Sequence, residues 1–429
     1  MEVHSFFLHL LIILLAARVF AELATRLNSP SVLGELVAGV VLGPSLLGWV
    51  EPYEAIKLLA EIGIILLLFE VGLETNLMRL MRSGWQSLIV AFGGFVLPFV
   101  FGTVVSYSAF GLSMLVSLFI GGTLTATSIG ITVRILNDLN VQQRRECQVV
   151  LGAAVIDDIL GVLLLALLYE FAIGGGISLA NSGKVLLFIL AFFIAAPIAA
   201  KMISIIIKRV EDTTDVPGLI PTMVVSLVLL FAWLAHEVGA PELLGGFAAG
   251  LALSRRFFLP LGVALHADPK FAHRIDAQMR PIIRLFTPIF FVMVGLSLNL
   301  REIDWSSPYV WVFSLVMFVI ALTGKFFAAF LAGGSWYSRF AIGIAMIPRG
   351  EVGIIFAELG RESGVFSNEI YAGMIIVITL TTFIAPLLLK SYYARYDREL
   401  HADDSPQDIA DELNERKALS EVERELDRE

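Results

Sequence analysis

The sequence predicts an all-α polytopic membrane protein, on three observations. Of 429 residues, 57% are hydrophobic and only 16% charged, against about 25% charged in soluble domains. Apolar runs near 20 residues follow one another along almost the whole chain, and about 20 is the length a helix needs to cross roughly 30 Å of hydrocarbon. The first half of the chain also resembles the second. Pro30-Ser31-Val32-Leu33-Gly34-Glu35-Leu36-Val37-Ala38-Gly39 is similar to Pro241-Glu242-Leu243-Leu244-Gly245-Gly246-Phe247-Ala248-Ala249-Gly250, and Gly72-Leu73-Glu74 to Gly295-Leu296-Ser297.

Thirteen spans follow in order, near 5–25, 31–50, 55–75, 86–108, 112–136, 146–172, 184–208, 217–237, 241–254, 280–299, 309–333, 337–359 and 368–392. No Lys or Arg precedes the first run, so it reads as a retained helix and not a cleaved leader. The second and ninth are short and rich in Gly, which suits packing inside protein. The repeat aligns spans 1–6 with spans 8–13 and leaves span 7 as a connector. An odd number of spans separates equivalent helices, so the two six-helix halves are inverted. Inverted repeats are a transporter signature, with the site near the midplane where the halves meet. Arg79, Arg82, Arg144, Arg145, Lys208, Arg209, Arg255, Arg256, Lys270, Arg274 and Arg280 all follow odd-numbered spans. By the positive-inside rule those loops are cytoplasmic, the N-terminus is outside and the C-terminus inside.

The sixth span holds the most informative pair, Asp157 and Asp158, inside Ala153–Val162. One carboxylate at bilayer depth costs about 2.5–3.5 kcal/mol on insertion scales, and two neighbours repel. The pair makes sense as a site that binds a cation, binds protons, or exchanges one for the other. Two other spans are interrupted at equivalent places. The fifth carries Gly121-Gly122-Thr123-Leu124-Thr125-Ala126-Thr127-Ser128-Ile129-Gly130, a poor helix former. The twelfth carries Pro348-Arg349-Gly350-Glu351, in which Pro removes a backbone donor. Unwound backbone is tolerated there only where protein or water covers it. Carbonyl ends of the half-helices favour a cation and amide ends an anion. Lys325 stands in the middle of the eleventh span, where a lysine must lose its proton or find a carboxylate; Asp157 or Asp158 is its obvious partner. Arg349 and Glu351 compensate charge at the break. Glu35, Glu70 and Glu74 read as packing or interface residues.

Pro-Ser-Val-Leu-Gly-Glu-Leu-Val-Ala-Gly at 30–39, Leu-Phe-Glu-Val-Gly-Leu-Glu at 68–74, Val-Ile-Asp-Asp at 155–158, Phe-Phe-Val-Met-Val-Gly-Leu at 290–296 and Pro-Arg-Gly-Glu at 348–351 resemble the second cation–proton antiporter family. The likeness is to its thirteen-helix NapA-type sodium/proton antiporters and covers about residues 5–392. It implies a homodimer in the bacterial cytoplasmic (inner) membrane, with a scaffold and a moving core. Residues 1–83 and 217–300 would be scaffold, 84–172 and 301–393 core, 173–216 a linker helix and 394–429 an acidic tail. By the same resemblance Asp158 is the main cation and proton carboxylate, and Asp157 alternates between the cation and Lys325. Thr127 and Ser128 lie beside the ion, and Thr125, Gly130, Pro348, Arg349, Gly350 and Glu351 support the broken helices. Asp-Asp with a lysine resembles the electrogenic branch.

The implied function is exchange of sodium or lithium for protons, with potassium/proton exchange as the alternative. The cargo is then a monovalent cation and protons, with no cofactor. No nucleophile–base constellation suggests an enzyme, and nothing points to nucleic acid. The stretch after residue 393 is too short for a nucleotide-binding domain. Cys147, the single cysteine, excludes an internal disulfide and a cysteine metal cluster.

Overall fold

The computed structural model describes residues 3–172 apart from 28, 75, 76, 140 and 143, then 218–254 and 269–401, with a few isolated positions between 191 and 209. All regular structure among the described residues is helical. The first half runs α1 (Val3–Arg26), α2 (Ser31–Leu42), α3 (Glu54–Glu74), α4 (Leu77–Ser108), α5 (Met114–Thr125), α6 (Ile129–Asp138) and α7 (Arg145–Ala172). The second runs α8 (Leu219–Glu237), α9 (Glu242–Leu253), α10 (Pro269–Ser297), α11 (Pro308–Ala328), α12 (Trp336–Ala345), α13 (Glu351–Glu362) and α14 (Asn368–His401). The order is the same in each: a long helix, a helix of 12 residues, two long helices, a broken pair, and a long helix.

Eight of these segments are long and apolar enough to cross a membrane, with α5–α6 counted as one. The other predicted spans differ for physical reasons. At 12 residues α2 and α9 reach only about 18 Å. Lys57, Glu61 and Glu70 make α3 too charged for an apolar window. The twelfth span is split at Met346–Gly350. The predicted span 184–208 and the tail from 402 lie outside the described residues.

Three helices are longer than predicted. Helix α4 begins at Leu77, not 86, α10 at Pro269, not 280, and α14 continues to His401, past 392. The added turns carry Arg79, Arg82, Arg274 and Arg395, so hydropathy stops where the helix does not. The start of α4 therefore falls inside the segment 1–83, and the end of α14 passes the boundary at 394.

The helices pack as two groups. In one, α2 lies on α1 and α10, α9 lies on α8 and α3, and α3 packs along α10. In the other, α4 packs against α5, α7 and α11, while α14 packs against α11, α12 and α13. Helix α6 touches α2 and α3 across the seam.

Without a hydrophobic drive between helices in lipid, small residues that let backbones touch hold such groups together. A side chain on Gly34 of α2 would strike the backbone of Phe20 and Ala21 in α1, and one on Gly245 of α9 would strike Phe231 and Ala232 in α8. Likewise Gly39 of α2 abuts Val292 and Gly295 of α10, and Gly250 of α9 abuts Phe69 and Gly72 of α3. Equivalent glycines thus make equivalent contacts, each short helix reaching into the opposite half.

Candidate functional site

Asp157 and Asp158 occupy the middle of α7 and are 1% and 4% exposed. Helix geometry turns neighbouring side chains about 100° apart, so the two carboxylates serve different surroundings. Asp157 accepts two hydrogen bonds from the Lys325 ammonium, at 2.9 and 2.8 Å. Both side chains of that ion pair are fully buried. Asp158 also lies within electrostatic reach of Lys325. The structure thus selects Asp157 from the two partners left open by the sequence.

The space for Lys325 comes from α4. Gly94 faces the lysine stem: a Cβ there would lie 3.1 Å from its Cδ and 3.6 Å from its Nζ. One turn on, Pro98 packs against Gly324 of α11, which draws the two helices together beside the lysine. Neither Gly94 nor Pro98 stands out in the sequence, since each matters only through register against α11.

The two interruptions cross. Residues Ala126–Ser128 separate α5 from α6, and Met346–Gly350 separate α12 from α13. The Ser128 amide donates to the Pro348 carbonyl at 2.9 Å. Thr127 Oγ1 reaches the Met346 carbonyl at 3.5 Å, and Thr132 Oγ1 donates to the Ala345 carbonyl at 2.8 Å. Ser128 also caps α6, accepting from the Ile131 amide at 3.4 Å. Buried backbone groups that lost their helical partners are satisfied from the other break. Gly350 stands where any Cβ would strike the Ser128 side chain.

The predicted supporting residues take distinct places. Thr125 closes α5, its hydroxyl donating to the Gly122 carbonyl at 2.7 Å. Gly130 sits one residue beyond the Ser128 cap of α6 and its neighbour Ile129. It lies at the seam, where a Cβ would strike Ile64 of α3 and Phe290 of α10. Glu351 begins α13, and its side chain lies outside the described residues.

Arg349 is fully buried, and among the described residues it makes no ion pair with an acid. Its guanidinium donates to the Ile347 carbonyl, to Leu124 at 2.8 Å and to Ala321 at 2.9 Å. Leu124 is at the carboxyl end of α5, Ile347 just beyond the end of α12, and Ala321 one turn before Lys325. The sequence assigned the carbonyl ends of the half-helices to a cation; here the protein's own arginine takes them. A planar fork of donors suits several carbonyls at once. Asp157 is within electrostatic reach of this guanidinium. Thr382 of α14 donates to the Arg349 carbonyl, a support that sequence reading missed because nothing but the fold brings α14 to the break.

The sodium/hydrogen exchanger transmembrane family matches residues 10–394 of the chain. The chain belongs to that family. Among its relatives, the Na(+)/H(+)-K(+) antiporter GerN of Bacillus cereus is 34% identical, over 93% of this chain and 99% of that protein. The high-affinity Na(+)/H(+) antiporter NhaS3 of Synechocystis sp. is 32% identical, over 91% of this chain and 90% of the relative. The fold is that of the sodium proton antiporter MjNhaP1 from Methanocaldococcus jannaschii, with a TM-score of 0.71 at 17% identity over 95% of this chain and 100% of that one. Family membership makes the chain a multi-pass integral membrane protein and sets it among transporters, not enzymes.

Proposed function

We propose that this protein exchanges a monovalent cation, sodium or lithium, for protons by alternating access, with cation and protons competing for Asp157 and Asp158. The observation that carries the reading is the acid pair in the middle of α7, buried against Lys325 and within reach of an arginine that ties the two crossing breaks together. Two neighbouring acids titrate as a coupled unit. Each hydrogen ion bound removes the negative charge that attracts the cation, so occupancy is competitive. Thr127 and Ser128 offer oxygen ligands beside the crossing. When the cation engages Asp157, Lys325 is released from its ion pair. The ammonium, now buried without a counter-charge, gives up its proton. Two protons would then cross for each cation and the cycle would respond to voltage. The transported ions are cargo, and no resident cofactor enters the scheme.

The same reading treats α1–α3 and α8–α10 as scaffold and α4–α7 with α11–α14 as the moving core. The packing into two groups supports this division, and the interchange of glycine contacts supports inverted repeats. Arg and Lys in the odd-side loops favour an outside N-terminus and a cytoplasmic C-terminus. Bacterial relatives favour the cytoplasmic (inner) membrane. We assign a homodimer to the scaffold side, where Leu8, Leu11, Leu15 and Val19 of α1 are exposed. Potassium is the second reading for the cargo, favoured by the likeness to GerN, a Na(+)/H(+)-K(+) antiporter.

The test is proton flux in liposomes holding the purified protein, with sodium, lithium or potassium added across a range of pH. Wild type should move protons against at least one of them, and Asp158→Asn should not. Normal exchange by Asp158→Asn would remove the acid pair from the mechanism.

A further inference from the structure

A carboxylate away from the acid pair is also sealed from water. Glu35, one turn into α2, is fully buried. Among the described residues neither of its oxygens accepts a hydrogen bond. Its ion-pair partner is Arg134 of α6, across the seam at 3.5 Å. A buried acid held this loosely costs stability that an apolar residue would not, so α2 gains nothing structural by keeping it.

Arg134 is shared between Glu35 and two further partners. Its Nε lies 3.4 Å from Asp138 on its own helix, and Nη2 lies 3.4 Å from the Ser31 hydroxyl. Ser31 in turn donates to Asp138 at 2.6 Å. Asp138 stays with Arg134 wherever α6 goes, whereas Glu35 stays on α2. The other charges facing Glu35 are Asp138 itself and, more weakly, Arg18 of α1. On α10, Arg280 and Arg284 bear on Glu70 of α3, which Arg134 also reaches. Beside Ser31 and Asp138 opens a cleft of about 310 Å³, which Lys390 also walls. Ser31 precedes Glu35 by one helical turn on the same face, so one wall of the cleft stands a turn away from the buried carboxylate.

We propose that Glu35 is a second titrating carboxylate of the transport cycle, ion-paired with Arg134 while α6 is seated on α2 and taking a proton from the cleft when α6 withdraws. The inference rests on the scaffold-and-core reading above. Withdrawal leaves Arg134 with Asp138 but strips Glu35 of its counter-charge in a low-dielectric setting, where an acid keeps its proton. The proton is taken from and returned to the same side, so it adds nothing to the exchange ratio. It makes withdrawal harder as pH rises on that side.

The experiment measures the pH profile of cation-driven proton flux in liposomes for wild type, Glu35→Gln and Arg134→Gln. Glutamine keeps the shape but needs no proton, so Glu35→Gln should carry the alkaline limb of the profile upward by about one pH unit or more. Its KM for the cation at the pH of maximal rate should not change. Arg134→Gln leaves Glu35 protonated in both positions and should give the same shift, which keeps the inference testable if one variant does not fold. Wild-type profiles in both variants, or an equal loss at every pH, would overturn it. If wild type drives no cation-dependent flux, the exchange reading itself fails. If wild type exchanges and the variants keep its profile, only the role of Glu35 falls.

Discussion

A lysine sealed among apolar helices keeps its charge only beside an acid, and Lys325 has one at 2.8 Å. Removing it strands Asp157. Breaking one side of a buried pair typically costs about 3–5 kcal/mol, unless the acid neutralises itself by holding a proton. Lys325→Ala should therefore lower the thermal midpoint of the purified protein and weaken the response of flux to an imposed potential. The order of preference among sodium, lithium and potassium should stay as in wild type. A flux that keeps the wild-type voltage response would separate Lys325 from the charge movement. The lysine and the acids could be read from sequence because few charges interrupt apolar runs, and each that does needs a partner. Gly94 could not, because an empty position has no chemistry until the stem of Lys325 is laid against it. The targets of Arg349 were hidden for a related reason. Carbonyls are identical along a chain, and only the crossing decides which three a guanidinium meets.

At the scale of elements, the short helices are held by absent side chains. Gly39 and Gly250 each bring α2 or α9 onto the backbone of a long helix from the other half. Backbone cannot step aside as a flexible side chain can, and overpacking of this kind costs on the order of 1–3 kcal/mol. Gly39→Ala and Gly250→Ala should each lower thermal stability by similar amounts, because their contacts are equivalent. A large loss at one and none at the other, by thermal denaturation in detergent, would contradict that equivalence. The repeated motif around these glycines was visible in the sequence, as were both interruptions. The full lengths of α4, α10 and α14 were not, since a helix continuing into water loses its hydropathy signal while keeping its backbone bonds.

For the whole molecule, the decisive geometry is the seam where α6 meets α2 and α3. Ser31 and Asp138 touch across it at 2.6 Å. A Ser31→Cys/Asp138→Cys double variant should form a disulfide that ties one helix group to the other. Oxidation should stop exchange and reduction restore it, while each single variant stays insensitive to oxidant. The one native thiol, Cys147, is buried and leaves the background clean. Continued exchange with the bridge formed would mean that the two groups do not slide here. Sequence alone could not reveal this seam: Glu35 and Arg134 are about a hundred positions apart, and neither belongs to the run of residues that marks the acid pair.

The two breaks are pinned to each other by the Ser128–Pro348 hydrogen bond and by Arg349. Were the core to move as proposed, a cargo hold riveted in this way would be carried from one side to the other without being rebuilt. It should grip its passenger equally hard at both ports. At matched pH and no membrane potential, Glu35→Gln, which removes the one-sided protonation, should then show the same half-saturating cation concentration in right-side-out and everted vesicles. The two ports would then differ only in how readily the core moves, not in how tightly they hold.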